Sequence, residues 1–137
     1  MVLQNILVRD YMTRRLVSVG PDMEVLQALQ TFVKNDISGA PVLAESGSLI
    51  GILTAKDCMR VAVNATYHSE YGGLVADFMT ANVVSISPAD GMLEVAKRFL
   101  DDGYHRYPVV EGGSLVGILS RRDMLRALGE AWQWQKE

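Results

Sequence analysis

The chain is written twice. "RDYMT" (Arg9 to Thr13) returns as "ADFMT" (Ala76 to Thr80), and Asp10 and Asp77, Pro21 and Pro88, and Pro41 and Pro108 are each 67 residues apart. "GSLIGILT" (Gly47 to Thr54) returns as "GSLVGILS" (Gly113 to Ser120), now 66 residues on. One residue has been lost between Pro108 and Gly113, where a hairpin loop sits. An internal repeat of this kind makes each copy one supersecondary unit. A copy of about 60 residues is marginal alone, so the two are expected to pack together and share a core.

Each copy reads alike. A short β-branched run comes first, Val17 to Val19 and Val83 to Ile86. A helix follows, with apolar positions Val25, Ala28, Leu29, Phe32 and Val33 in the first copy and Met92, Val95, Ala96, Phe99 and Leu100 in the second. That spacing lines one face of an α-helix. Gly20-Pro21 and Ser87-Pro88 read as helix entries with proline at the first helical position, and Gly103 as a helix stop. Two strands joined by "ESGS" or "EGGS" come next: Ala40 to Ala44 with Leu49 to Leu53, and Tyr107 to Val110 with Leu115 to Leu119. A second helix closes each copy, from Ala55 to about Ala65 and from Arg121 to about Trp134, with Asn64 to Gly73 as the loop between copies. The fold class is α+β, built of tandem β-α-β-β-α repeats: residues 8–65, a loop over 66–74, and residues 75–134.

The totals exclude several functions. Hydrophobic residues are 49% and charged residues 21%, an ordinary globular balance. A net charge of −3 argues against a broad nucleic-acid face but leaves room for a small anion site. Cys58 is the single cysteine, so neither a disulfide framework nor a multi-cysteine metal site can form within one chain. No apolar run approaches a membrane span and the N-terminus lacks a signal peptide, so a cytoplasmic location and no membrane partner are expected. His68 and His105 are the only histidines. There is no H-E-x-x-H, no Walker sequence and no G-x-S-x-G elbow, so an enzyme is not expected. Cys58 lies in an apolar helix and reads as packing. Asp101 and Asp102 lie at a helix end, where the dipole disfavours acids, and two adjacent acids are too little for a metal site.

"TAKD" (Thr54 to Asp57) and "SRRD" (Ser120 to Asp123) fit a capping box at a helix start, in which the hydroxyl and the acid satisfy free backbone N–H groups. Capping permits a second role. A helix N-terminus suits phosphate, and an Asp beside it accepts hydrogen bonds from ribose hydroxyls. "HRYP" (His105 to Pro108) places two cation-capable side chains at the mouth of an apolar strand. They are either an exposed strand entrance, with Arg106 paired to Asp101 or Asp102 for little energy, or a phosphate fork. The first copy has Ser38 and Gly39 at those positions. Tyr107 either packs or stacks on a base. Met12 and Met79 pack the short leading helices onto the sheet. Trp132 and Trp134 anchor the last helix or meet a partner.

The ordered set "DYMT…VSVGPD", "GAPVL", "GILTAKD" and then "DFMT…VVSISPAD", "RYPVV", "GILSRRD" resembles the CBS (cystathionine β-synthase) domain family across nearly the whole chain. The resemblance implies two repeats packed through their sheets with pseudo-twofold symmetry. It also implies dimerisation into a disc and adenosine-containing ligands in clefts between repeats. By that resemblance Thr54, Asp57, His105, Arg106, Tyr107, Ser120 and Asp123 are the candidate nucleotide-binding residues. Asp57 and Asp123 would hold ribose, and His105 and Arg106 phosphate. The ligand would be AMP, ADP or ATP, with S-adenosylmethionine suited to the plainer first copy. The implied function is regulation of a separate effector protein by a homodimer. The alternative is a structural dimerisation module that binds no nucleotide.

Overall fold

The computed structural model describes residues 2–68 and 72–136. It divides into two compact units, one of Val17–Val83 and one that joins Val84–Glu137 to Met1–Leu16.

The first unit contains α1 (Val25–Asn35), β1 (Gly39–Leu43), β2 (Leu49–Thr54), α2 (Ala55–His68) and the single-turn α3 (Val75–Phe78). Strands β1 and β2 form an antiparallel hairpin, with Gly39 opposite Thr54 and Val42 opposite Gly51. A single residue extends it on each side: Val19 bridges Val42 in parallel and Thr80 bridges Ile52 antiparallel. Helix α1 buries Val25, Ala28 and Phe32. It stops at Asp36, which takes the left-handed conformation (φ 53°) and donates its N–H to the carbonyls of Phe32 and Val33. The core adds Val42, Leu53, Cys58, Val61 and Val75.

The second unit repeats this plan with α4 (Met92–Asp102), β3 (Arg106–Glu111), β4 (Ser114–Ser120) and α5 (Arg121–Lys136). Helix α4 ends at Gly103 with φ 72°, as expected of a glycine stop. Ile86 bridges Val109 in parallel, and Thr13 bridges Ile118 antiparallel. Its core gathers Met92, Val95, Phe99, Tyr107, Val109 and Leu119 with Leu3, Val8 and Met12.

The short leading segments are therefore exchanged. Thr13, from the first copy in sequence, edges the second copy's hairpin, and Thr80, from the second, edges the first copy's hairpin. The recurring glycine of "GIL" is needed for this. A Cβ at Gly117 would lie 2.8 Å from Met12 Sδ and 3.1 Å from the Thr13 carbonyl oxygen; at Gly51 it would lie 2.5 Å from Met79 Sδ and 3.0 Å from the Thr80 oxygen. Met12 and Met79 do pack on a sheet, each on the other copy's hairpin.

Three expectations are corrected. The leading β-branched runs contribute one bridging residue each rather than a strand, because Pro21 and Pro88 turn the chain immediately after them. Those prolines do not start helices: α1 and α4 begin four residues later, behind Glu24 and Gly91. The proline carbonyls instead accept N–H groups from the exchanged segments, Pro21 from Ala76 (3.0 Å) and Pro88 from Arg9 (3.0 Å). Helix α2 runs on through Asn64 to His68, with the Thr66 hydroxyl donating to the Ala62 carbonyl (3.0 Å), so the loop between copies is shorter than expected. Residues 69–71 of that loop and the side chains of His68 and Trp134 lie outside the described residues. The outer edge of each apolar stripe stays uncovered: Val33 is 74% exposed and Leu100 86%.

Candidate functional site

In the second unit, the β3–β4 pairing sets Arg106 opposite Ser120, the last residue before α5. The Arg121 N–H then donates to the His105 carbonyl (3.0 Å), tying the start of α5 to the start of β3. Asp123, in the first turn of α5, is buried. Its Oδ2 accepts the Ser120 N–H (2.9 Å) and hydroxyl (3.0 Å), and its own N–H donates to Ser120 Oγ (3.2 Å). This is the reciprocal capping box that "SRRD" predicts. The other oxygen is held loosely. The Thr13 hydroxyl lies 3.4 Å from both carboxylate oxygens, and Arg126 is 3.5 Å from Oδ1.

The first unit builds the same corner. Gly39 pairs with Thr54, and the Ala55 N–H donates to the Ser38 carbonyl (2.8 Å). Buried Asp57 accepts the Thr54 N–H (2.9 Å) and hydroxyl (3.0 Å) on Oδ2 and donates its N–H to Thr54 Oγ1 (3.3 Å). Its Oδ1 is taken by Arg60 at 3.1 Å. The matching backbone bonds place Ser38 and Gly39 where the second unit has His105 and Arg106. The two corners share a carboxylate and differ in cations.

His105 is exposed and Arg106 half-buried, and burial pulls the Arg106 guanidinium below its ordinary pKa. Tyr107 is fully buried, so its ring offers no face for a base to stack on. Its hydroxyl donates to Asp102 (2.8 Å), and its ring lies 4.8 Å from that of Phe99, centroid to centroid. Burial and the Asp102 carboxylate raise its pKa to about 12. This bond explains Asp102 at the unfavourable end of α4, where a buried hydroxyl needs an acceptor. Cys58 is buried with its pKa raised, first by burial and then by Asp57, so the thiol is packing and not an activated nucleophile.

Sequence reading missed Thr13, Arg60 and Arg126 as partners of the two carboxylates. Arg60 and Arg126 carried a signal, since each stands three residues after its Asp on one helix, a spacing that brings opposite charges together. Thr13 carried none, because the exchange of segments is not written in the repeat. Among the described residues, no group of three His, Cys, Asp or Glu is placed to hold a metal, and no helix is long and apolar enough to cross a membrane.

Two copies of a β-hairpin flanked by helices, each with a capped carboxylate at the hairpin–helix corner, define a tandem-repeat α+β fold. The CBS domain family model matches residues 8–64 and 75–130, and the chain belongs to that family. It is similar to CBSX2 of Arabidopsis thaliana, solved in complex with AMP: 29% identity, 91% of this chain, 97% of that one, TM-score 0.81. It shares the fold of the CBS domain pair of MJ0100, solved with 5-methylthioadenosine and S-adenosyl-L-methionine: 24% identity, 92% of this chain, 98% of that one, TM-score 0.79. It is also 28% identical over 125 residues to the uncharacterised protein MJ1225 of Methanocaldococcus jannaschii, covering 91% of this chain but only 44% of that relative's length.

Proposed function

We propose that this chain is a non-catalytic ligand-sensing module that binds an adenine nucleotide at the β4–α5 corner of its second unit and regulates a separate effector protein. The supporting observation is the Asp123 carboxylate, buried in the first turn of α5 with one oxygen committed to Ser120 and the other held only by contacts of 3.4 and 3.5 Å. A carboxylate has about four acceptor positions, so the loosely held oxygen is the one a ribose diol takes. His105, just before the paired strand, and Arg106, its first residue, supply the charge and the donor fork for phosphate. AMP is the ligand class we favour, with ADP and ATP sharing its chemistry, and the AMP complex of CBSX2 supports the choice.

The first-unit corner lacks both cations, so a phosphate-bearing ligand prefers the second unit. An adenosyl ligand without phosphate, such as S-adenosylmethionine, suits the first. Apolar side chains exposed at equivalent places in the two copies, Val33 with Leu100 and Met59 with Leu125, support an isologous homodimer. The competing reading is a structural module in which both carboxylates are caps and nothing more; the completeness of both capping boxes favours it. Asp123→Ala separates the two. Under ligand sensing, AMP binding to the folded variant is lost. If the wild-type protein binds no AMP and the variant shows only the stability loss of a missing cap, the structural reading stands.

A further inference from the structure

The corner that carries His105 and Arg106 is held by side chains the first copy does not have. Arg121 donates from Nε to the Tyr104 carbonyl (2.8 Å) and from Nη2 to the Gly103 carbonyl (3.1 Å). Its backbone N–H holds the next carbonyl, that of His105 (3.0 Å). Three successive carbonyls at the end of α4 are thus gripped by one residue. The Tyr104 ring meets the buried Tyr107 ring edge-on (5.6 Å between centroids, 88°), and Tyr107 is itself fixed by Asp102.

The repeat supplies an internal control. Ala55, Ile37, Ala40 and Asn35 occupy the positions of Arg121, Tyr104, Tyr107 and Asp102. The Asn35 amide turns back to the Thr31 carbonyl on its own helix (2.8 Å), and Ile37 packs against the apolar core. The backbone bond from Ala55 to Ser38 matches that from Arg121 to His105, but Ala55 has no guanidinium with which to hold the two preceding carbonyls. The gripping side chains therefore occur in the copy that has the two cations, and in that copy alone.

We propose that Arg121, backed by Tyr104, Tyr107 and Asp102, is a positioning residue that holds the turn over 103–106 in its phosphate-binding form before ligand arrives. This rests on the nucleotide reading above. Its physical logic is preorganisation: a turn already fixed loses no further freedom on binding, and the gain falls on the phosphate end of the ligand. The Arg121 guanidinium, at the carbonyl end of α4, also complements the helix dipole there.

The test is Arg121→Ala, a substitution at an exposed residue, beside Lys97→Ala as a control of equal charge change on the same unit. Amide hydrogen exchange of the ligand-free protein should quicken at 103–106 in Arg121→Ala, stay unchanged at the equivalent 36–39, and stay unchanged throughout in Lys97→Ala. Calorimetry should show AMP binding weakened about tenfold in Arg121→Ala, with adenosine binding within about twofold of wild type. Unchanged exchange at 103–106 overturns the clamp, whatever the ligand data. Faster exchange with equal losses for AMP and adenosine overturns its selectivity for the phosphate end. Failure of the wild-type protein to bind AMP overturns the nucleotide reading itself, and exchange still decides separately whether the clamp exists.

Discussion

Asp57 and Asp123 are the two buried charged side chains among the described residues, and a buried carboxylate is tolerable only when its lone pairs are used. Asp57 is engaged on both oxygens, by Thr54 and by Arg60, whereas Asp123 is held firmly by Ser120 on one oxygen and by Arg126 on the other only at 3.5 Å. Asp123→Ala should cost about 0.5–2 kcal/mol, the value of a lost cap, read as a lower denaturant midpoint, in addition to abolishing AMP binding. Tyr107 gives a second residue-scale prediction. Its pKa is about 12 in the folded protein against 10.0 for the free side chain, so the folded state holds the phenol proton more tightly. That stabilisation is complete below pH 10 and disappears as pH rises through 12. Tyr107→Phe should lose about 1.5–3 kcal/mol at neutral pH, the worth of a hydrogen bond to a charged group, and should lose less stability than wild type across that alkaline range.

Hairpins, capping boxes and the main helices were legible because their signals are local. Glycine-rich turns between β-branched runs, [ST]-x-x-[DE] and a 3.6-residue period act within a few residues. The roles of Pro21 and Pro88 were misread for the same reason: local preference puts proline at a helix start, while here its carbonyl serves a segment far along the chain. The equivalence of Ser38-Gly39 with His105-Arg106 was readable from the repeat offset; the Asp102–Tyr107 bond, which spans a helix end and a strand start, was not. The "GIL" glycine is a feature of paired elements. Gly117→Ala should destabilise by about 1–3 kcal/mol, the usual cost of overpacking. Met12→Ala should cost less in the Gly117→Ala background than in the wild type, since Met12 Sδ makes the shortest contact with the added Cβ while the Thr13 carbonyl remains. A double-mutant cycle measures the coupling.

On the scale of the whole molecule, the sequence repeat and the compact unit are different objects. The repeat runs in register along the chain, while each unit takes its leading segment from the other copy. An exchange between two nearly identical segments leaves no trace in an alignment of the copies, because both partners satisfy the same pattern. Removing residues 1–16 should therefore loosen the second unit first, since it would lose Leu3, Val8 and Met12 from its core and Thr13 from the edge of β4. Amide exchange should quicken over 84–136 before it quickens over 17–67. The molecule is also chemically lopsided, with His105, Arg106 and the Arg121 clamp in one unit only. Binding of a phosphate-bearing ligand should be correspondingly unequal, with one strong site per chain.

The most direct measurement is a calorimetric titration of AMP into the protein, repeated on Arg106→Ala. The account predicts saturable binding with one strong site per chain in the wild type, weakened in the variant while the fold persists. No heat up to millimolar AMP, or binding that Arg106→Ala leaves untouched, would contradict it.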